Sequence, residues 1–274
     1  MIKYDKHNKY HRFARSTIIT IISLIVLIWV WWLLSILLQR YLDFNASPLA
    51  PPQDAFRALI DFILNGDPTM EHRSAASWVG VSLSTFLRGF ILAFVVALPI
   101  GLLMGNYLAV REFFTPWVEV LRPIAPIAWA PILVLSFKET NGSILVVFIG
   151  IFFPLLTNII FGVQKIDPVL VDAAKTLGAS NAQIFVKVLV PSTIPYLMNG
   201  IKIGLGVGWM CIVAAELYST TLSGIGYFVS YMITNSSYDY AFAGIMIIAA
   251  LGLLTTGLAE YVSRRISRRM GVDV

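Results

Sequence analysis

Four ionisable side chains interrupt long apolar stretches of this sequence: Arg88, Arg122, Lys202 and Glu216. A charge within a bilayer-crossing segment is costly, so residues of this kind are candidates for a functional site. Arg122 and Lys202 lie towards the ends of their segments, where long side chains reach the interface, and this location favours a structural role for both. Arg88 lies deeper, and Glu216 lies near the far end of its segment. We predict that Arg88 and Glu216 belong to a pathway or its gate, with the Glu216 carboxylate pairing with a cation or closing the gate by a hydrogen bond.

Three prolines, Pro123, Pro126 and Pro131, fall in one apolar segment together with Trp129. Proline removes a helical hydrogen bond and kinks or interrupts the helix. The segment is therefore expected to bend, either permanently or as a gate shaped by Trp129. With Met210 from a later apolar segment, the pathway or gate candidates are Arg88, Trp129, Met210 and Glu216.

The sequence shows no spacing of residues that is typical of a catalytic or metal-binding site. His7, His11 and His72 lie in terminal or loop segments without a Cys or carboxylate cluster at ligand spacing. The sequence contains no G-x-x-x-x-G-K-[ST] phosphate loop. The single cysteine, Cys211, lies in an apolar stretch, where a lone thiol is most often inert packing. We expect a chain that is not an enzyme and that binds no metal or cofactor itself.

The segment 164–191 is a polar island between two apolar stretches. Asp167-Pro168 predicts a helix start, because Asp caps a helix and Pro fits its first position. Gly178 predicts the helix end, and Ser180 with Gln183 predicts a capping box that starts a second helix, ending at Pro191. A short rigid helix at a membrane surface suits the docking of a partner, although an ordinary interfacial helix has the same pattern. The candidate docking residues are Asp172, Ala173, Ala174, Thr176, Leu177, Gly178, Ala179 and Ser180.

The elements that carry these residues are membrane helices. Of the 274 residues, 58% are hydrophobic and 13% are charged, with a mean hydropathy of +0.79. A spanning helix needs roughly 20 mostly apolar residues, and six segments supply them. The sequence therefore predicts an all-α polytopic membrane protein with a single domain over 1–274. The predicted spans are 17–38, 74–104, 118–137, 143–163, 192–217 and 240–260.

The distribution of basic residues predicts the orientation of these spans. With the N-terminus inside, the inside segments hold thirteen Lys and Arg residues and the outside segments hold four. Positive charge concentrates on the cytoplasmic side, so both termini are expected there. The first apolar run is too long for a signal peptide, and we expect it to be retained. The net charge of +5 is explained by this topology and by anionic lipid headgroups, without a nucleic-acid partner.

Two outside segments and one glycine series complete the prediction. Within 39–73, apolar residues recur at helical spacing from Phe56 to Leu64, which predicts a short amphipathic helix at the membrane surface. The uncharged segment 219–238 is predicted to form a re-entrant or surface helix.

Small residues every four positions let helices approach closely, either within the chain or at a pathway or dimer seam. That series is Gly200, Gly204 and Gly208.

The segment 172–191 resembles the cytoplasmic signature of binding-protein-dependent ABC importer permeases. The signature is Glu-Ala-Ala, three residues, Gly, nine residues, Ile, one residue, and Leu-Pro. Asp172-Ala173-Ala174 matches its start with Asp for Glu, and Gly178 falls at the required place. At its end Val188 replaces Ile, Val190 replaces Leu, and Pro191 matches. Segments 88–90, 101–105, 121–131, 214–217 and 224–227 are similar to the branch of this family that includes nitrate, sulfonate, taurine and bicarbonate permeases.

The resemblance implies a type I ABC importer permease with a coupling helix in 164–191, between spans four and five. That helix would dock in a groove of a separate ATP-binding subunit, which uses ATP and Mg²⁺. The implied partners are a second copy of the chain, two ATP-binding subunits, an extracytoplasmic substrate-binding protein and lipid of the cell (inner) membrane. The implied function is import of a small anion such as nitrate, a sulfonate, taurine or bicarbonate. A different small solute, or a self-contained secondary transporter or channel, remains the alternative.

Overall fold

A computed structural model describes residues 9–41, 48–69, 72–219 and 224–270 of the chain. His7 lies outside the described residues, as do parts of the two predicted outside segments, at 42–47, 70–71 and 220–223. The side chain of His11 is likewise not described. The α-helices of the described residues are α1 Lys9–Tyr41, α2 Pro52–Asn65, α3 Ala75–Asn106, α4 Leu108–Leu121, α5 Pro126–Phe137, α6 Glu139–Gln164, α7 Pro168–Thr176, α8 Asn181–Ile184, α9 Val190–Leu217, α10 Ile225–Thr234 and α11 Tyr238–Arg269.

Within the described residues, five helical segments are long and apolar enough to cross a membrane, and a bent pair makes a sixth. Spans one, two, four and six correspond to α1, α3, α6 and α11. The segment predicted as span three, 118–137, is not one straight helix, because α4 and α5 meet at 90°. Pro126 is the first residue of α5, and the residue before it, Ala125, has ψ 128°, which ends helical geometry. The proline-driven bend itself is confirmed.

The predicted helix end at Pro191 is wrong. The chain is helical from Asn181 to Leu217 as one membrane-length segment. A π-helical turn over Phe185–Leu189 joins α8 to α9, and Pro191 lies in the first turn of α9. Proline is tolerated at such a position because the wider turn before it changes the hydrogen-bond register. The second helix of the polar segment therefore continues directly into span five.

The centre of the fold is α6, which packs between α3 and α9. Its Ile151, Leu155 and Ile159 side chains are fully buried. A Cβ atom added to Gly204 or Gly208 would lie 3.0 or 2.7 Å from the Ile151 side chain. The close approach predicted from the glycine series is confirmed as packing within the chain, and the glycine face of α9 is consequently not available for a dimer seam.

The far end of the bundle is built from α2, α10 and α11 around a second buried cluster. Phe62 of α2 stacks on Phe228 of α10 at 4.3 Å between ring centroids. The amphipathic helix predicted near Phe56–Leu64 is confirmed as α2. Helix α10 lies within 219–238 and its Ile225, Phe228 and Met232 side chains are fully buried, while the choice between a re-entrant and a surface helix stays a prediction.

A polar contact links α2 to α11 at the same end. The Tyr240 hydroxyl donates a hydrogen bond to the Asp61 carboxylate, and Asn65 donates a second one at 2.7 Å. These hydrogen bonds hold the pKa of Asp61 below its ordinary value of 3.8, Tyr240 contributing most. Since α9 runs from α8 to this cluster, the molecule has two ends, named here the α7 end and the α10 end.

Candidate functional site

The α7 end carries the helix that the polar segment predicts. The Asp167 carboxylate accepts a hydrogen bond from the Val169 N–H at 2.9 Å, and Pro168 is the first helical residue. Gly178 has φ +77°, the left-handed conformation that favours glycine. Ser180 and Gln183 form the reciprocal capping box, with contacts of 3.3 and 2.8 Å. The prediction of two capped helices separated by Gly178 is confirmed.

The predicted docking residues lie on the protein surface at this end. Leu177 is 87% exposed, which is unusual for a leucine that follows a packed helix. Asp172 and Lys175 form an ion pair at 3.8 Å, but both side chains are well exposed, so the pair contributes about 1 kcal/mol at most. The other exposed docking residues are Ala173, Thr176, Gly178 and Ser180, and the half-buried ones are Ala174 and Ala179.

The inner side of α7 attaches it to the bundle. Val171, Ala174 and Ala179 pack against the main core. Behind the helix lies a cavity of about 490 Å³, whose lining includes Gly105 of α3 and Val163 of α6. Helix α7 therefore lies beside the ends of α3 and α6 and next to α8.

Glu216 is buried at the α10 end, with 1% of its surface exposed. The Ser82 hydroxyl donates to its carboxylate at 2.7 Å, and the Gly226 N–H donates to it at 2.8 Å. Ser82 in turn accepts the Ile225 N–H at 2.9 Å. Gly224 has φ +110°, and an added Cβ there would lie 2.2 Å from the Glu216 carboxylate. Glu216 therefore joins α3 and α9 to the first turn of α10, a set of contacts named here the Glu216 cluster.

The other pathway candidates lie apart from Glu216. Arg88 is exposed on α3, and its guanidinium has no hydrogen bond or ion pair with the described residues. Trp129 is half-buried in α5, whereas Met210 is 63% exposed on α9. The structure does not bring these four residues together at one site, and their assignment to a pathway or gate stays a prediction.

Lys202 has a partner that its position in the sequence did not reveal. Its ammonium lies 2.5 Å from the Glu260 carboxylate of α11, and Arg264 lies 2.8 Å from the same carboxylate. Glu260 falls at the end of a predicted span, and its spacing of four residues from Arg264 was the available signal. Lys202 therefore forms an ion pair between α9 and α11, which agrees with a structural role for this residue.

Two cavities lie on the face formed by α5, α6 and α9, named here the α5–α6–α9 face. One, of about 300 Å³, is lined by residues that include Arg122, Pro126 and Asn158. The other, of about 630 Å³ towards the α10 end, is lined by residues that include Lys138, Asn141 and Tyr218. The two cations flank α5, one beyond each end of the helix. Sequence reasoning treated Arg122 as an interfacial residue because it could not place α6 and α9 beside it.

The family model of the binding-protein-dependent transport system inner membrane component matches residues 97–268, from the second half of α3 through α11. This match covers more than half of the chain. The chain belongs to this family of ABC importer permeases. A permease of this family is the membrane translocation component of its transporter, and ATP is hydrolysed by a separate subunit.

Individual permeases support the same assignment. The chain is 39% identical over 183 residues to an ABC transporter permease protein of Methanocaldococcus jannaschii, covering 66% of this chain and 68% of that protein. It is 33% identical to the taurine transport system permease protein TauC of Escherichia coli, covering 81% and 78%. It is 30% identical to the nitrate import permease protein NrtB of Leptolyngbya laminosa, covering 80% and 78%.

Solved structures show the same fold at low sequence identity. A chain of the bacterial alginate ABC transporter, solved with a periplasmic protein carrying an alginate pentasaccharide, superimposes with a TM-score of 0.62 at 17% identity. That match covers 97% of this permease and 99% of the other chain. A chain of the inward-facing MetNI methionine ABC transporter gives a TM-score of 0.60 at 18% identity, covering 70% and 95%. The predicted type I importer permease fold is confirmed.

The described part of this permease contains no group of three or more His, Cys, Asp or Glu residues that could hold a metal ion. Cys211 is buried, and a Cβ added to Gly150 would lie 2.3 Å from its sulfur. The thiol therefore fills the contact between α9 and α6.

Gly178 gives a test of α7 that separates its conformation from its surface. Gly178→Val is expected to destabilise the permease by about 1 kcal/mol, because β-branched residues resist positive φ. Gly178→Asn should cost less, since asparagine tolerates the left-handed region. Neither side chain meets a clash in the permease, because a Cβ at this position has no neighbouring atom within 4 Å. Thermal unfolding of the purified variants in detergent measures the difference.

Equal destabilisation by valine and asparagine would contradict this account of Gly178. Because Asn preserves the loop conformation, Gly178→Asn also serves to detect a partner on this surface. A loss of complex formation in a stable Gly178→Asn permease would come from a contact made outside the chain.

Proposed function

We propose that two copies of this permease enclose the translocation pathway of an ATP-driven importer for small anions such as nitrate, sulfonates, taurine or bicarbonate. Two ATP-binding subunits, which use ATP and Mg²⁺, drive it from the α7 end. An extracytoplasmic substrate-binding protein delivers the anion at the α10 end. The observation that carries the proposal is α7 itself, a rigidly capped helix with an exposed apolar tip at Leu177 and an inner side fixed to the bundle.

The shape of α7 supports docking of an ATP-binding subunit. Small side chains such as Ala173 allow a groove to approach the helix backbone closely, and Leu177 supplies apolar area whose burial is favourable. Asp172 and Lys175 can add polar contacts at the rim. When two ATP-binding subunits close on ATP, each would displace one α7 helix. That displacement would reorient α6 and α9 and switch the side on which the pathway opens.

Charge on the α5–α6–α9 face supports an anion as substrate. Arg122 and Lys138 line the cavities near either end of α5, and Glu139, which also lines the second cavity, accepts a hydrogen bond from the Ser219 hydroxyl at 2.7 Å. The two cations outnumber this one carboxylate, and an excess of positive charge along a pathway raises the local concentration of anions. The relatives named for nitrate and taurine carry substrates with an anionic group, which agrees with these cations.

The orientation in the inner membrane follows from the same proposal. ATP is cytoplasmic, so the α7 end and both termini would lie in the cytoplasm, as the excess of Lys and Arg at these segments favours. Helices α2 and α10 would then face the binding protein. Arg264, Arg265 and Arg268 near the end of α11 would lie at the cytoplasmic headgroups, where anionic lipid stabilises positive charge.

Isolation of the intact complex tests this function. Affinity-tagged permease is purified in mild detergent and reconstituted in liposomes, and copurifying ATPase activity and ATP-dependent anion uptake are measured. Ala173→Arg is expected to lower both by roughly tenfold or more, because it places a long charged side chain in a close contact. Gln53→Arg, an exposed change on α2 at the other end, should leave the copurifying ATPase activity near the wild-type level.

Two results would contradict the proposal. Anion uptake by the permease alone, without ATP, would identify a secondary transporter or channel. Retention of the ATPase in a stable Ala173→Arg permease would place the docking surface somewhere other than α7.

A further inference from the structure

The last turns of α11 have one buried face and one strongly basic exposed face. Ser263 and Ser267 are only 5% and 2% exposed, so this part of the helix is packed against the protein on one side. The opposite side lines a cavity of about 450 Å³, named here the α11 basic cavity. Its described lining consists of one tyrosine and three arginines, all exposed: Tyr261, Arg264, Arg265 and Arg268.

The positive charge of this cavity exceeds what the protein neutralises. Arg264 lies 2.8 Å from the Glu260 carboxylate, which also pairs with Lys202. The guanidinium groups of Arg265 and Arg268 have no hydrogen bond or ion pair with the described residues, and the described lining includes no carboxylate. Like charges three or four residues apart on a helix repel each other. An anion bound among the arginines would relieve this repulsion.

A phosphate group suits these side chains. Each guanidinium presents N–H donors in a planar fork that fits two phosphate oxygens. Tyr261 is 62% exposed, and its hydroxyl can donate to a further oxygen. A choline or ethanolamine group would place a positive charge beside three arginines, without a carboxylate in the described lining to pair it. The cavity therefore favours a ligand whose phosphate is its only charged group.

An exposed apolar stripe leads into the cavity and indicates that the phosphate belongs to a lipid. Leu254, Leu258, Tyr261 and Arg265 follow one another at intervals of four, three and four residues, so they lie on one face of α11. The two leucines are 69% and 64% exposed, and they belong to the uncharged run that ends at Ala259. Because α11 is long and apolar enough to cross a membrane, this stripe faces acyl chains. A free phosphate would contact the arginines alone, whereas a phospholipid would contact both parts of the face.

We propose that the α11 basic cavity binds the phosphate group of an anionic phospholipid with an uncharged headgroup, and that an acyl chain of this lipid lies along Leu254 and Leu258. Helix α11 begins at the α10 end, where Tyr240 contacts Asp61, so its basic end lies in the leaflet at the α7 end. General attraction of basic residues to an anionic membrane requires no particular geometry. The proposed site differs, because it requires guanidinium forks at fixed positions, and it does not depend on the transported solute.

Lipid binding to the purified permease tests the site. The affinity-tagged permease, with the subunits that copurify, is delipidated in detergent and titrated with dioctanoyl phosphatidylglycerol. Native mass spectrometry measures lipid adducts on the permease subunit, and thermal unfolding measures the stabilisation that binding produces. Dioctanoyl phosphatidylcholine is the zwitterionic probe with the same acyl chains. Glycerol phosphate supplies the phosphate without acyl chains.

Phosphatidylglycerol is expected to bind at a concentration roughly tenfold or more below phosphatidylcholine and glycerol phosphate. Arg265→Gln and Arg268→Gln should each raise its half-saturating concentration roughly tenfold, because a hydrogen bond to a charged group is lost. Arg265→Lys keeps the charge without the planar fork and should give an intermediate rise. The matched control is Arg15→Gln, which removes an exposed arginine near the start of α1. Since Trp31 of α1 contacts Phe242 at the α10 end, Arg15 lies at the α7 end as well, and its loss should leave binding unchanged.

Four outcomes would overturn the assignment. Equal binding of phosphatidylcholine would show that the charge of the headgroup is not recognised. Glycerol phosphate that binds as tightly as phosphatidylglycerol would identify a site for free phosphate rather than for a lipid. Unchanged binding in both Arg265→Gln and Arg268→Gln would place the lipid elsewhere. An equal loss in Arg15→Gln would leave general attraction to positive charge as the explanation. The measurement uses neither ATP nor a transported anion, so its result is independent of the proposed function.

Discussion

Gly142→Ala is expected to destabilise the permease strongly, although it adds only one methyl group. Gly142 lies in the first turn of α6, where α5 crosses it. A Cβ at this position would lie 2.4 Å from both the Leu133 carbonyl oxygen and the Val134 Cα. Both atoms belong to the backbone of α5, so no side-chain rotation relieves the contact. Overpacking costs about 1–3 kcal/mol when side chains can adjust, and we expect the upper end of that range or more here.

The measurement is the fraction of monodisperse permease recovered in detergent and its midpoint of thermal unfolding. Gly80→Ala is the matched control, since Gly80 is also helical and a Cβ there has no neighbour within 4 Å. That variant should match the wild type or be slightly more stable, because alanine is the better helix former. If Gly142→Ala unfolds at the wild-type temperature, α5 and α6 are not in contact at this crossing.

The same crossing shows why sequence predicts some elements and misses others. Apolar runs and caps are local signals, so α1, α3, α6, α11 and the capped helix α7 are predictable from the order of residues alone. The prolines around Arg122 predicted a bend, but the 90° angle depends on α5 packing against α6 through Gly142. The fit of Gly142 against the backbone of Leu133 and Val134 depends on how the two helices pack, so it cannot be predicted from either segment alone.

The candidate functional residues also divide into those that local sequence patterns identify and those that only the packing of several helices identifies. Asp167, Gly178 and Ser180 predicted the ends of α7 and the start of α8 through caps formed within a few residues, and the family signature was recognisable in the same segment. The α5–α6–α9 face depends on side chains from three helices, so Arg122 looked like an interfacial residue and Asn158 drew no attention. Glu216 was singled out as an ionisable residue in an apolar segment, but its partners Ser82 and Gly226 lie 134 and 10 residues away. Only the fold could identify them.

Glu216→Ala is expected to lower both stability and uptake by releasing α10 from α3 and α9. The change removes the acceptor for the Ser82 hydroxyl and the Gly226 N–H, both of which are buried. Each buried donor left without a partner costs about 1–3 kcal/mol. The first turn of α10 loses its attachment through Gly226, and the Ser82 hydroxyl that accepts the Ile225 N–H is no longer held by the carboxylate. Thermal unfolding of the purified variant and ATP-dependent uptake in liposomes measure the two losses.

Ser82→Ala tests whether the cluster acts as a unit. If Ser82 and Glu216 stabilise the protein through one network, the double variant should be destabilised by clearly less than the sum of the two single variants. Additive losses would show that the two residues act separately.

The Glu216→Gln variant distinguishes two roles of the Glu216 carboxylate, which are positioning of α10 and gating of the pathway. Glutamine keeps the shape and one acceptor for the Gly226 N–H, so we expect a folded permease with most of its uptake retained. Glu216 is buried and is not among the residues that line the described cavities of the α5–α6–α9 face, which is the reason to expect a positioning role. A Glu216→Gln permease that unfolds at the wild-type temperature and hydrolyses ATP, yet loses uptake, would instead establish the carboxylate as part of the gate. Full uptake with Gln and its loss with Ala would leave hydrogen bonding to α10 as the function of this residue.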